Sequence, residues 1–352
     1  MEPRKYKIVF TFIVEFGDLE NKSLLLAKSL RRFYKDPNEY PIYAVRPRRG
    51  REIKNLTKQQ FKALDVIYIY SPVNRDWEFF DFANQVYGPA LIEERIDGKT
   101  EFMVYLDADV VCLHFPAELS LPDNCLVGIT PVDIGSELGN DAAIVAEDSL
   151  NTTWELAYSL AGVKSIPNWN VSTKVEKLRI YPYFNSGFSI VRPEAQIFRL
   201  CRDMFEKANT KNYFRYFNYS GKFLKTQNDT KKSSLHFIDQ IFLAAAILSK
   251  CSKEQIKIFG NEYNFPFHFI KEIQNEPYDL EHIIFLHYHN MFYDLKWQSN
   301  VHLDTETREW LANNVPIKLE KHISYKIKKS IRYGKIFIKW HFKAMKIDSE
   351  SD

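Results

Sequence analysis

Short apolar runs rich in β-branched and aromatic residues alternate with helically spaced segments over the first 110 residues. This alternation narrows the fold before any motif is read. Lys7–Val14, Tyr40–Val45, Ala63–Tyr70 and Phe102–Leu106 read as strands. Between them, Leu24–Tyr34 has helical spacing, and Asp81–Glu94 reads as a helix interrupted at Gly88-Pro89. Strands alternating with helices predict an α/β fold with a largely parallel sheet, in which ligands bind at the carboxyl ends of the strands. Further along, Leu126–Pro131, Phe188–Val191, Ile256–Phe259 and Ile283–Leu286 read as strands, and Ala195–Lys207 and Phe237–Ser249 as helices. Residues 144–180 read as helix and loop. Residues 208–235 read as a long polar excursion, Lys-rich and interleaved with aromatics, of a kind that is often functional.

The stretch Tyr105-Leu106-Asp107-Ala108-Asp109-Val110-Val111 places two carboxylates at the end of an apolar strand. Residues i and i+2 of a strand face the same side. Two carboxylates so presented can share one divalent cation at about 2.1 Å, and that cation can grip a diphosphate. The rest of the composition is ordinary for a globular protein, with 45% hydrophobic and 26% charged residues. The four cysteines lack C-x-x-C spacing and read as buried thiols rather than a disulfide framework. No run of about 18 apolar residues predicts a membrane-spanning helix. The first residues run straight into a strand without the apolar core of a leader peptide, so the expected compartment is the cytoplasm. Residues 318–346 hold nine Lys and one Arg against one Glu, whereas residues 1–317 carry a net charge of −3. An acidic body excludes the basic groove of a nucleic-acid enzyme.

Four motifs follow one another: Leu106-Asp107-Ala108-Asp109, Tyr183-Phe184-Asn185-Ser186-Gly187, Asp239-Gln240, and His287-Tyr288-His289-Asn290 with Lys296-Trp297. Taken singly each has a plain reading: a solvated turn, a turn again, a carboxylate favoured at a helix N-terminus, and a core histidine. As an ordered set they resemble nucleotide-sugar glycosyltransferases of the GT-A fold, most of all glycosyltransferase family 8, the glycogenin and lipopolysaccharide galactosyltransferase group. The resemblance implies a mixed, mainly parallel central sheet flanked by helices over residues 1–300. It implies Mn²⁺ or Mg²⁺ on Asp107, Asp109 and His287, with His289 as the competing imidazole. An imidazole beside carboxylates favours Mn²⁺. It further implies that Asn185, Asp239 and Gln240 act at the reacting sugar, and that Ala108, Asp133, Ser186 and Gly187 contact the donor. Lys296 would hold the diphosphate, and Thr11 and Phe12, with Val14, would wall the base, expected to be uridine. The chain has Asn290 where the family has Gly, lacks the Pro between the Lys and Trp, and has no basic residue in Asn84–Pro89. The reaction implied is transfer from a nucleotide diphosphate sugar to a glycan or lipid-linked glycan hydroxyl, with retention of configuration.

Residues 301–352 read as a C-terminal extension. Ile323, Ile327, Ile331, Ile338, Phe342 and Met345 recur at mostly i, i+4 spacing with lysines between them. A basic amphipathic helix over 318–346 suits an anionic membrane surface, and equally a helix packed on the body with a solvated Lys face. Two other functions share part of the pattern. A haloacid-dehalogenase-like phosphatase would use Asp107 as nucleophile, but the downstream acidic pair it needs is missing. A nucleotidyltransferase would carry a Gly-rich loop where Phe12–Leu19 has only Gly17. A degenerate glycan-binding scaffold is the non-enzymatic alternative.

Overall fold

The computed structural model describes residues 6–78, 80–117, 119–134, 152–210, 217–218, 233–234, 237–294 and 296–315. The amphipathic segment 318–346 and most of the 208–235 excursion lie outside the described residues. The elements run β1 (Tyr6–Ile13), α1 (Asp18–Phe33), β2 (Ile42–Arg46), α2 (Asn55–Ala63), β3 (Val66–Tyr70), α3 (Asn84–Ile96), β4 (Thr100–Leu106), β5 (Val110–Cys112) and β6 (Val127–Pro131). Then come α4 (Thr152–Ala161), β7 (Val171–Ser172), β8 (Arg179–Ile180), β9 (Phe184–Val191), α5 (Ile197–Thr210), β10 (Phe217–Asn218), β11 (Ser233–Ser234) and α6 (Ile238–Lys250). The described chain ends with β12 (Ile256–Ile258), β13 (Phe265–Pro266), α7 (Ile270–Ile273), β14 (Tyr278–Asp279), β15 (Phe285–His287), β16 (Val301–His302) and α8 (Thr305–Asn314).

Seven strands form the central sheet in the order β12-β6-β9-β4-β1-β2-β3. All neighbours are parallel except β9, which runs antiparallel to both β4 and β6. The two-residue period of β1 divides the core. Val9 and Ile13 face a layer built from α3, α4, α5 and α6, and Ile8, Phe10 and Phe12 face α1 and α2. A second, three-stranded sheet, β13-β15-β5, carries its own apolar cluster. Val301, Leu303, Leu311 and Val315 pack into that cluster, although they follow the boundary expected at residue 300 and fall in the expected extension.

Three local expectations change. Ala63 ends helix α2, which buries only Thr57 and Phe61 and so leaves almost no apolar stripe to read. Helix α3 continues through Gly88-Pro89. There the missing side chain is the point: a Cβ on Gly88 would lie 2.3 Å from Ile13 Cδ1 and 3.5 Å from Val45 Cγ1. Close seating on the sheet offsets the one helical hydrogen bond that Pro89 removes. Asn185-Ser186-Gly187 lies within β9 rather than in a turn. Its pairing slips there: Ile129 faces Ser189, but Thr130 faces Asn185. Such a bulge re-aims side chains at the end of a strand.

Candidate active site

A cleft of about 690 Å³ opens at the carboxyl ends of β1 and β4. Asp107 and Asp109 line it, but from a tight turn rather than a strand, with Val110 N donating to Asp107 O at 3.0 Å. The turn is fixed on both sides. Asp107 N donates to Gly187 O at 2.9 Å, and Tyr288 N donates to Asp109 O at 3.0 Å. The second bond continues the antiparallel pairing of β5 with β15, in which His287 faces Val110. That pairing is why a histidine 178 residues downstream reaches Asp109: His287 Nε2 lies 3.1 Å from Asp109 Oδ1 and 4.0 Å from Asp107 Oδ2.

Gly187 makes room for this approach. A Cβ on it would stand 3.0 Å from His287 Cε1 and 3.0 Å from Asn264 Oδ1. Gly187 is not among the residues lining the cleft, and its lack of a side chain admits the imidazole. His289 stacks on His287 with ring centroids 4.0 Å apart, and His268 closes edge-on to His289 at 4.1 Å. His289, not Asn290, takes the left-handed backbone conformation in this loop, at φ 46°.

Ligand atoms of Asp109, His287 and His289 all lie within 4.8 Å of one another. His287 Nδ1 and His289 Nε2 are buried without a hydrogen-bond partner among the described residues. One carboxylate and two imidazoles could hold a divalent cation, with Asp107 beside them. The electrostatics agree. Burial resists ionisation of Asp109, but Lys22 and His287 outweigh it and hold the carboxylate well below its usual range. Burial pushes Asp107 up to about 6. Burial also pushes His289 down to about 2 and His268 down to about 4, leaving both rings neutral.

The remaining expected residues come together from the β4–β5 turn, the segment after β6, strand β9 and helix α6. Asp133, Asn185, Ser186, Asp239, Gln240 and Ala108 all line the cleft. Ser186 joins the strand to the helix. Its N–H donates to Gln240 Oε1 at 3.1 Å, and its hydroxyl donates to Asp239 Oδ2 at 3.2 Å. With its carbonyl so held, Gln240 has its amide nitrogen left to donate. Burial, reinforced by the charge of Asp107, raises Asp239 to about 7. Asn185 donates to Asp133 Oδ2 at 3.1 Å and accepts from Asn264 Nδ2 at 3.0 Å.

Thr11, Phe12, Val14 and Lys296 do not line the cleft either. Thr11 and Phe12 are fully buried, Phe12 against Phe61 in the α1–α2 layer, because β1 is an interior strand covered on both faces. Ile13, Glu15, Phe16 and Gly17, just past the strand end, line the wall instead. Lys296 is exposed, follows a short 3₁₀ turn begun at Met291, and is not among the residues lining the cleft. Sequence reading missed Lys22, Tyr105, His268 and Lys174. Tyr105 donates its hydroxyl to Asp107 Oδ1 at 2.8 Å. Lys22 had a legible signal: the helix after a first parallel strand begins at that strand's carboxyl end, so its opening turns face the ligand.

No curated protein matches the chain. Solved structures similar to it include mouse xyloside xylosyltransferase 1 in its apo form (14% identity, 81% of this chain and 98% of that one, TM-score 0.41). The galactosyltransferase LgtC in complex with donor and acceptor sugar analogues is 13% identical over 89% of this chain and 98% of that one, with a TM-score of 0.44. The apo bifunctional glycosyltransferase WbbM is 14% identical over 93% of this chain and 52% of that one, at 0.47. The Rhodobacterales glycosyltransferase domain family is matched across residues 10–250, more than half of the chain, and the chain belongs to that family and is a glycosyltransferase.

Proposed function

We propose that this glycosyltransferase is metal-dependent and moves a sugar from a uridine diphosphate sugar to a hydroxyl of a glycan or lipid-linked glycan, with retention. The observation that carries the reading is the convergence of Asp107, Asp109, His287 and His289 beside Asn185, Asp239 and Gln240 in one cleft. Asp109 and His287 would hold the cation, with Asp107 and His289 in reach. A bound divalent cation supplies charge neutralisation to the departing diphosphate.

The chain's own groups do the remainder. Asp239 lies at about 7, so near neutrality it both accepts from and donates to sugar hydroxyls. Gln240 presents amide protons beside it, and Asn185 is locked by Asp133 and Asn264 so that its orientation is fixed before substrate binds. The leaving phosphate is the base for the acceptor hydroxyl in this reading.

The test is nucleoside diphosphate release from a panel of nucleotide sugars, with Mn²⁺ and with chelator, followed by NMR of the anomeric product. Release from a uridine donor that persists unchanged in chelator would remove the metal from the mechanism. An inverted product would remove retention.

We also propose that the enzyme works at the cytoplasmic face of a membrane, held by 318–346. Each basic residue near an anionic surface contributes about 1 kcal/mol. Deleting residues 320–352 should lower binding to phosphatidylserine liposomes, and unchanged binding would reject the anchor.

A further inference from the structure

A nucleoside diphosphate brings several negative charges into this cleft, and the cleft is already acidic. Seven carboxylates line it: Glu15, Asp18, Asp81, Asp107, Asp109, Asp133 and Asp239. Among the described lining residues Lys22 is the one Lys or Arg. Other cations nearby are committed behind the wall: Arg48 forks onto Glu15 and pairs with Asp81 at 2.7 Å, and Lys174 pairs with Asp133 at 2.9 Å. Lys296 is outside.

Lys22 stands on the second turn of α1 with its side chain 15% exposed, and its ammonium is 3.1 Å from Asp109 Oδ2. Asp109 is also a metal-ligand candidate. Lys22 and a divalent cation are therefore rivals for one carboxylate. Helix α1 does not depend on this contact. It is seated by Leu24, Leu26, Ala27 and Leu30 in the core and by Ser23 Oγ donating to Ile13 O at 3.1 Å.

We propose that Lys22 is the diphosphate-binding cation of this enzyme, and that it passes from Asp109 to the diphosphate when Asp109 turns to a divalent cation. The inference rests on the proposed donor class. A lysine suits this exchange: its ammonium is a compact charge on a flexible four-carbon stem with three rotatable donors. The two roles have opposite signs. Against the cation Lys22 competes, and for the diphosphate it recruits.

The test uses the full chain with Lys22→Met, which keeps the stem, and Lys22→Arg, which keeps the charge. Affinity for Mn²⁺ alone is read by electron paramagnetic resonance, and affinity for UDP in saturating Mn²⁺ by calorimetry. Lys22→Met should bind Mn²⁺ about two- to fivefold more tightly, the worth of a partly exposed ion pair. The same variant should bind UDP roughly ten- to a hundredfold more weakly, the worth of a charge-assisted hydrogen bond. Lys22→Arg should hold UDP within a few-fold of wild type. Equal UDP affinity in wild type and Lys22→Met overturns the inference and leaves the donor reading standing. Loss of Mn²⁺ affinity in Lys22→Met makes Lys22 a structural prop and also overturns it. Wild type that binds Mn²⁺ but no UDP overturns the donor reading, and this inference falls with it.

Discussion

Lys174 is not among the residues lining the cleft yet holds Asp133, which is, so it separates folding from chemistry. Its ammonium is 2.9 Å from Asp133 Oδ1 and donates to Asn264 O at 2.6 Å, and the two paired side chains are 3% and 2% exposed. Lys174→Met keeps the stem and strands the Asp133 carboxylate. Removing one partner of a buried pair costs about 3–5 kcal/mol. Against a total stability of about 5–15 kcal/mol that is a large fraction. Adding Asp133→Asn removes the stranded charge and keeps an amide oxygen for Asn185 Nδ2, now 3.1 Å from Asp133 Oδ2. The double variant should return to within about 1–2 kcal/mol of wild type, the worth of one weakened hydrogen bond. Activity should not return with it, because Asp133 faces the cleft and Asn185 is aimed by it. Urea midpoints at fixed pH read the first quantity, and sugar release from the donor reads the second. A single-variant cost below about 1 kcal/mol, as for an exposed pair, or a double variant no more stable than the single, would refute the reasoning.

Asp109→Ala should abolish measurable Mn²⁺ binding with the fold intact. His287→Ala and His289→Ala should each weaken it about ten- to a hundredfold, and an unaffected His289→Ala would take that ring out of the ligand set. Asp239 has a folded value of about 7, above the unfolded range near 3.9. Its contribution to stability is thus full at low pH, is lost as pH rises between about 4 and 7, and is flat above. In chelator, Asp239→Asn should gain on wild type across that window, and parallel pH profiles would contradict the raised carboxyl. Gly128→Ala should destabilise. Its Cβ would meet Phe259 Cε2 at 2.4 Å, Ile190 Cγ2 at 2.6 Å and Leu121 Cδ2 at 2.7 Å. Overpacking costs about 1–3 kcal/mol, more than the roughly 0.5–1 kcal/mol regained by removing Gly from a strand. A higher melting temperature in that variant would fail this prediction.

The inner strands of the central sheet were legible because they are covered on both faces and so read as continuous apolar runs, as in Lys7–Val14 and Phe102–Leu106. Helix α2 was not, since two buried residues in nine make no stripe. The D-x-D and D-Q pairs stood out in the sequence as a cluster to watch, but their geometry did not. Asp107 and Asp109 converge through a turn, and Asn185-Ser186 through a slipped register, and both depend on pairing partners distant in sequence. Thr11 and Phe12 were misplaced by proximity: one more residue along, Ile13 already faces the cleft. Lys174 carries no sequence signal and Lys22 only the general placement of the helix after the first strand; the fold gives both their partners.

Charge explains why these unmotivated lysines matter. Asp107 and Asp239 are buried carboxyls pushed upward, so the fold resists the full ionisation its own residues would have in water. Cations behind the wall settle two parts of the excess, Arg48 at Glu15 and Asp81 and Lys174 at Asp133. The part centred on Asp107 and Asp109 has only Lys22 and His287 close by among the described residues, and His287 is held above its ordinary value by Asp109 against the pull of burial. Under the proposed function, a site left negative in this way would take a divalent cation first and a diphosphate only with it. That order follows from the placement of carboxylates alone, whatever sugar the donor carries.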